Sequence, residues 1–175
     1  MSNIYLVRTN QKINFARIHL DTLAKTHDST SWSKHNEIES YNESVLFHLA
    51  SAYRSFLREV AEKYSFAPER VNQVADLEAL LDASGQESPE RGELVSLESN
   101  EASWLHKMLA AYEACWQASD NHTEKASDNV SLSEIHVIQI NPDHAEDKDI
   151  LAEYRNWLDQ FRSLVERLRA DMQEW

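Results

Sequence analysis

Two glycines and three prolines in 175 residues leave this chain almost without the residues that build tight turns. Average usage of the two together is about 12%. A sheet protein needs Gly, Pro or Asn-Gly at its hairpins, so this supply argues for long helices with few connections. Apolar residues at 42% and charged residues at 27% suffice for a core and a solvated surface. The length fits one domain, residues 1–175.

Apolar spacing then predicts an all-α, single-domain helical bundle with four long helices and one or two short ones. The first spans 3–27, with Ile13, Ala16, Leu20, Leu23 and Ala24 on one face. The second spans 34–64, and its wide stripe (Ile38, Val45, Leu49, Ala52, Phe56, Val60, flanked by Leu46, Tyr53 and Leu57) implies several neighbours. Pro68 marks a helix start and Gly85 its stop, after which Ser88-Pro89-Glu90 opens a further short helix. A fourth long helix is expected from about Asn100 to Ser119, with Trp104, Leu105, Met108, Tyr112, Cys115 and Trp116 on its core face. Between it and a last helix over about 147–174, residues 130–140 are rich in β-branched side chains and read as a short extended segment. That last helix keeps Ile150, Tyr154, Trp157, Phe161, Leu164, Leu168, Met172 and Trp175 in steps of three and four on one apolar face, and puts Arg155, Asp159, Arg162, Glu166 and Arg169 on or beside the solvent side.

Seventeen basic and 30 acidic side chains give a net charge of −13. Nucleic acid and anionic membranes are therefore not expected as partners, since both demand neutralising cations. The charge is uneven: residues 66–100 carry two basic and eight acidic side chains, and residues 123–149 carry two and seven. These regions read as solvated acidic loops, or as a docking face for a basic partner. The N-terminal apolar run is too short for a secretory signal, and no stretch approaches the ~18 apolar residues of a membrane span. A cytoplasmic location is expected.

Catalytic motifs are sparse. With glycine only at 85 and 92, neither phosphate-binding glycine loop nor a G-x-S-x-G elbow can be written. Cys115, the lone cysteine, excludes an intrachain disulfide and reads as a small core residue. No cofactor is expected. None of the eight histidines has Glu three positions before it, and no two are spaced i, i+3 or i, i+4. No Arg precedes a His at the four-to-six-residue gap of the HEPN ribonucleases. His19, His48 and His106 flank apolar stripes, and three converging imidazoles would make a metal site. Ser44-Val45-Leu46-Phe47-His48-Leu49-Ala50 resembles the second-helix histidine signature of DinB-like metal-binding bundles, although the later His-x-x-x-His pair of that family is missing.

The most unusual local feature is Arg8-Thr9-Asn10-Gln11-Lys12, five polar residues in succession inside an amphipathic helix. Some must face inward. One reading is a buried polar network that fixes helix register. The other is a binding patch in which Arg8 and Lys12 attract an anion while Asn10 and Gln11 hydrogen-bond it. Among five tryptophans, Trp104, Trp116 and Trp157 fit the core pattern, leaving Trp32 and Trp175 as interface candidates.

The segments Arg8-Thr9-Asn10-Gln11-Lys12-Ile13, Phe47 to Glu59, Ser103-Trp104-Leu105 with Cys115-Trp116, and Met172-Gln173-Glu174-Trp175 together resemble a small bacterial family of unknown function, seen mainly in gammaproteobacteria. The resemblance implies a cytosolic all-helical protein and brings no activity with it. The sequence thus favours a non-enzymatic interaction or accessory protein, acting through helical faces and acidic loops on another protein. The alternative is a DinB-like metal-dependent enzyme using His19, His48 and His106. A homodimer is compatible with both.

Overall fold

The computed structural model describes residues 4–117 and 148–173, all of whose regular elements are helical. Three helices are long: α1 (Ile4–His27), α2 (Lys34–Lys63) and α6 (Lys148–Gln173). Three have 11 residues each: α3 (Val74–Ser84), α4 (Pro89–Ser99) and α5 (Trp104–Ala114). The expected fourth long helix is thus shorter than its apolar pattern suggested. Ser103 caps it, its hydroxyl accepting from the His106 N–H at 3.0 Å, and the helix ends before Cys115. The segments at 120–129 and 130–140, and Trp175, lie outside the described residues.

Helices α1 and α2 form an antiparallel hairpin. The Tyr5 N–H reaches the Glu62 carboxylate at 3.3 Å at one end, and His19 meets Tyr41 at 6.2 Å between ring centroids towards the other. Helix α6 lies against α1, α2 and α5. It runs parallel to α2, because Phe161 meets Tyr53 and Phe56 while Arg169 meets Glu59 farther along. Helix α5 runs opposite to α6, with Trp104 at Phe161 and Cys115 near Tyr154. Around the ring α1, α2, α5, α6, every neighbour is antiparallel, the packing of a four-helix bundle. The wide stripe on α2 is explained by its place in this ring, and Phe56, Leu57, Val60 and Ala61 are fully buried. Of the eight apolar positions predicted for α6, the seven from Ile150 to Met172 are buried, and Trp175 lies outside the described residues. Phe161 sits among Tyr53, Phe56 and Trp104 at centroid distances of 6.3–6.4 Å, suiting edge-to-face and tilted rings. Among the described residues, no helix is long and apolar enough to cross a membrane.

Local stop and start signals hold with one exception. Gly85 ends α3 at φ +66°, and Ser88 caps α4 by accepting from the Arg91 N–H at 3.3 Å. Pro68, however, opens a 3-10 turn (Pro68–Arg70) and not α3. That helix starts at Val74, because the Asp76 carboxylate accepts from the N–H groups of Asn72 at 2.8 Å and Gln73 at 3.1 Å.

The end of α2 is strained. Ser65 has φ +61°, where its N–H donates to Glu62 O and the following Phe66 N–H donates to Ala61 O at 2.9 Å. A side chain with a Cβ is disfavoured there. Ser65→Gly is expected to raise stability by about 0.5–1 kcal/mol. The reading is a higher urea midpoint at unchanged slope; a lower midpoint would show that the Ser65 side chain contributes more than its backbone costs.

Candidate functional site

Residues four apart share a helix face, and on the α1–α2 hairpin two such pairs confront one another. Arg8 and Lys12 project from α1, Arg54 and Arg58 from α2, and between them lies an open groove of about 560 Å³. Tyr5, Gln11, Ser51 and Ser55 complete its polar lining, and Ile4 and Val7 supply apolar wall. Among the described residues, no carboxylate lines it. Arg8 donates to the Gln11 side chain at 2.5 Å. Arg58 is held by Val71 O at 2.8 Å and Asn72 Oδ1 at 3.0 Å, and its guanidinium stands 5.7 Å from the Tyr5 ring centroid. Lys12 is only 9% exposed, with its ammonium 5.0 Å from the Phe47 ring and 5.9 Å from that of Phe15. Burial, then the neighbouring Arg8, push the Lys12 pKa down. Among the described residues, none of Arg8, Lys12 and Arg54 has an ion-pair partner.

The polar run of α1 therefore divides. Arg8, Gln11 and Lys12 enter the groove. Thr9 is fully buried and its hydroxyl donates to Tyr5 O at 2.8 Å, which meets the expectation that some of the run faces inward. Asn10 turns to the opposite side, where it accepts from Arg169 of α6 at 2.9 Å and lines a second cleft of about 280 Å³. It does not join the patch with its three neighbours. Arg169 has a partner that its position on α6 does not announce. Half-buried beside the solvent side, it turns inward and donates two hydrogen bonds, at 2.7 and 2.9 Å, to the buried carboxylate of Glu59.

The three histidines of the metal alternative are not brought together. His19 and His48 do meet, with ring centroids 4.7 Å apart, and each has a buried Nδ1 without a hydrogen-bond partner among the described residues. His106 is engaged elsewhere, its Nδ1 lying 2.7 Å from Glu98 O. Among the described residues, no group of three or more His, Cys, Asp or Glu could hold a metal ion. Burial, reinforced by His19, Lys12 and Arg8, lowers the His48 pKa to about 4, so at neutral pH it is an uncharged imidazole.

Two other expectations change. Trp32 is 97% exposed, but Trp116, assigned to the core, is 73% exposed, because α5 stops before it. Residues 66–100 are not an acidic loop but mainly α3 and α4, and many of their carboxylates serve the fold. Arg91 binds Glu78 at 3.3 Å and Asp82 at 2.5 Å, and Glu93 takes two bonds from Arg167. Buried Glu90 accepts from Tyr64 and Ser88, both at 2.7 Å, and Glu98 accepts from Tyr53 at 2.6 Å. The N-terminal half of the 123–149 region lies outside the described residues, as does nearly all the rest.

Arg54, Arg58, Ser51 and Ser55 were not singled out from the sequence. A signal was present: in a chain with 30 acidic residues, none falls within 1–20 or 51–58.

Fold and site together define an all-helical bundle with a cationic groove along its first hairpin. The chain belongs to a family of unknown function, DUF6586, whose family model matches residues 1–175. No curated protein matches it, and no solved structure does.

Proposed function

We propose that this is a non-enzymatic interaction or accessory protein that meets an acidic protein partner through the α1–α2 face. One observation carries the reading: among the described residues, four cations and no carboxylate line a groove on a chain of net charge −13. Among the described residues outside the groove, four arginines pair with the protein's own carboxylates, Arg17, Arg91, Arg167 and Arg169, while Arg70, Arg155 and Arg162 stand apart from one another and from the groove lining. Clustering Arg8, Lys12 and Arg54 on one face with no ion-pair partner among the described residues costs mutual repulsion, which an acidic partner would relieve. Ile4 and Val7, both about two-thirds exposed, border the cations and offer apolar contact. A non-enzymatic role accords with the state of the titratable groups. Burial pushes the Cys115 thiol up to about 11 and holds the Tyr53 hydroxyl well above its usual range, so neither is an activated nucleophile at neutral pH. We place the activity in the cytoplasm, the compartment that suits a lone free thiol.

The test compares partners captured from lysate by the wild type and by Arg54→Glu. Arg54 is exposed, so the substitution is expected to leave melting unchanged while recovery of the partner falls at least tenfold. Full recovery with Arg54→Glu but loss with Trp32→Ala would move the working surface to the α1–α2 connection and end this reading.

A further inference from the structure

We propose that the α1–α2 groove recognises a phosphoryl group, through Arg8 and Lys12 on one wall and Arg54, Arg58 and the Ser51 hydroxyl on the other. The inference rests on the reading of this groove as the working surface, and it names the chemistry recognised there.

Charge is the first argument. A single carboxylate brings one negative charge to four clustered cations and leaves most of their repulsion in place. A phosphoryl group on a side chain or small molecule carries about −1.5 to −2 at neutral pH, and a diphosphate more. Shape is the second. A carboxylate offers two oxygens in one plane, which suits donors on one side. A phosphoryl group offers three oxygens around a tetrahedral centre, which suits donors arriving from two facing helices. The third is preorganisation. Arg58 is fixed by Val71 O and Asn72 and faces the Tyr5 ring, and Arg8 is tied to Gln11. Less side-chain freedom is then lost on binding.

The groove's volume of about 560 Å³ exceeds that of a bare phosphate, and its apolar wall of Ile4 and Val7 leaves room for whatever carries the group. A flat anionic membrane fits less well, because the cations line a concavity and the whole protein is repelled at −13.

The test is isothermal titration of the full chain with three probes: inorganic pyrophosphate, a short phosphoserine peptide, and the same peptide with glutamate at that position. Saturable binding of pyrophosphate or of the phosphoserine peptide is expected, with at least tenfold weakening in Arg8→Gln/Arg54→Gln. Arg167→Gln, on the far pair with Glu93, should bind as the wild type does. Circular dichroism of the double variant confirms the fold, since both residues are exposed. Tighter binding of pyrophosphate identifies a free small phosphate as the source, and tighter binding of the phosphopeptide a phosphorylated protein. Equal affinity for the glutamate and phosphoserine peptides would overturn phosphoryl recognition yet leave the acidic-partner reading standing. Binding that ignores the double substitution, binding of none of the probes, or retention only on anionic vesicles would each overturn the inference. The capture experiment with Arg54→Glu decides the broader reading separately.

Discussion

Arg169→Ala should be the most damaging polar substitution in this protein, costing about 3–5 kcal/mol. The guanidinium of Arg169 lies 2.7 and 2.9 Å from the two oxygens of Glu59 and 2.9 Å from Asn10, so one side chain ties α6 to both α2 and α1. Glu59 is 7% exposed. Removing its partner leaves a carboxylate with neither water nor a cation, and that uncompensated desolvation dominates the loss. Asn10→Ala should cost only about 1 kcal/mol, the value of one hydrogen bond. The double variant Arg169→Met/Glu59→Leu should recover most of the loss, because an apolar pair of similar volume carries no desolvation penalty. Urea unfolding measures this, and the single variant should also melt roughly 6–20 °C lower. A loss below about 1 kcal/mol for Arg169→Ala would show the pair to be effectively solvated.

The same residue shows what the sequence could and could not reveal. Position 169 lies beside the solvent face of α6 by period, and an arginine there reads as surface. Its partner is 110 residues away on another helix, and no local pattern carries that distance. What was legible followed from short-range rules. The apolar period of α6 located every buried residue named for it, Gly85 marked a helix stop, and Ser88-Pro89 marked a start. The groove was half legible. Five consecutive polar residues cannot all face water on a helix, and Thr9 and Lys12 are indeed the inward ones. The other wall was hidden because Arg54 and Arg58 look like an ordinary solvated face until α2 is laid antiparallel to α1. Trp116 misled for the opposite reason: an apolar period continues through it, but the helix does not.

Acid should destabilise this protein through His48. Its imidazole lies among His19 at 4.7 Å, Phe15 at 5.4 Å and Phe47 at 5.3 Å between centroids, and its Nδ1 has no hydrogen-bond partner among the described residues. Burial first, then His19, Lys12 and Arg8, lower its pKa from 6.5 to about 4. Because the folded value is depressed, the unfolded chain binds the proton more readily. The stabilisation is fully present above pH 6.5 and is lost as pH falls from there to about 4. At about 1.36 kcal/mol per unit the full shift would be worth about 3 kcal/mol. The cluster is only partly shielded from solvent, and screening reduces this to about 1–2 kcal/mol. Urea unfolding of the wild type and His48→Leu at pH 7.5, 5.5 and 4.5 isolates the contribution, since the other titrating groups are common to both. The wild type should lose about 1–2 kcal/mol more than the variant over this window. Lys12→Met should narrow that gap, because it removes one of the cations that oppose protonation. Parallel pH curves, or an imidazole titration midpoint near 6.5 by NMR, would refute the assignment. Pyrophosphate bound in the groove should raise that midpoint, because it cancels Arg8 and Lys12, two of the charges that keep His48 neutral.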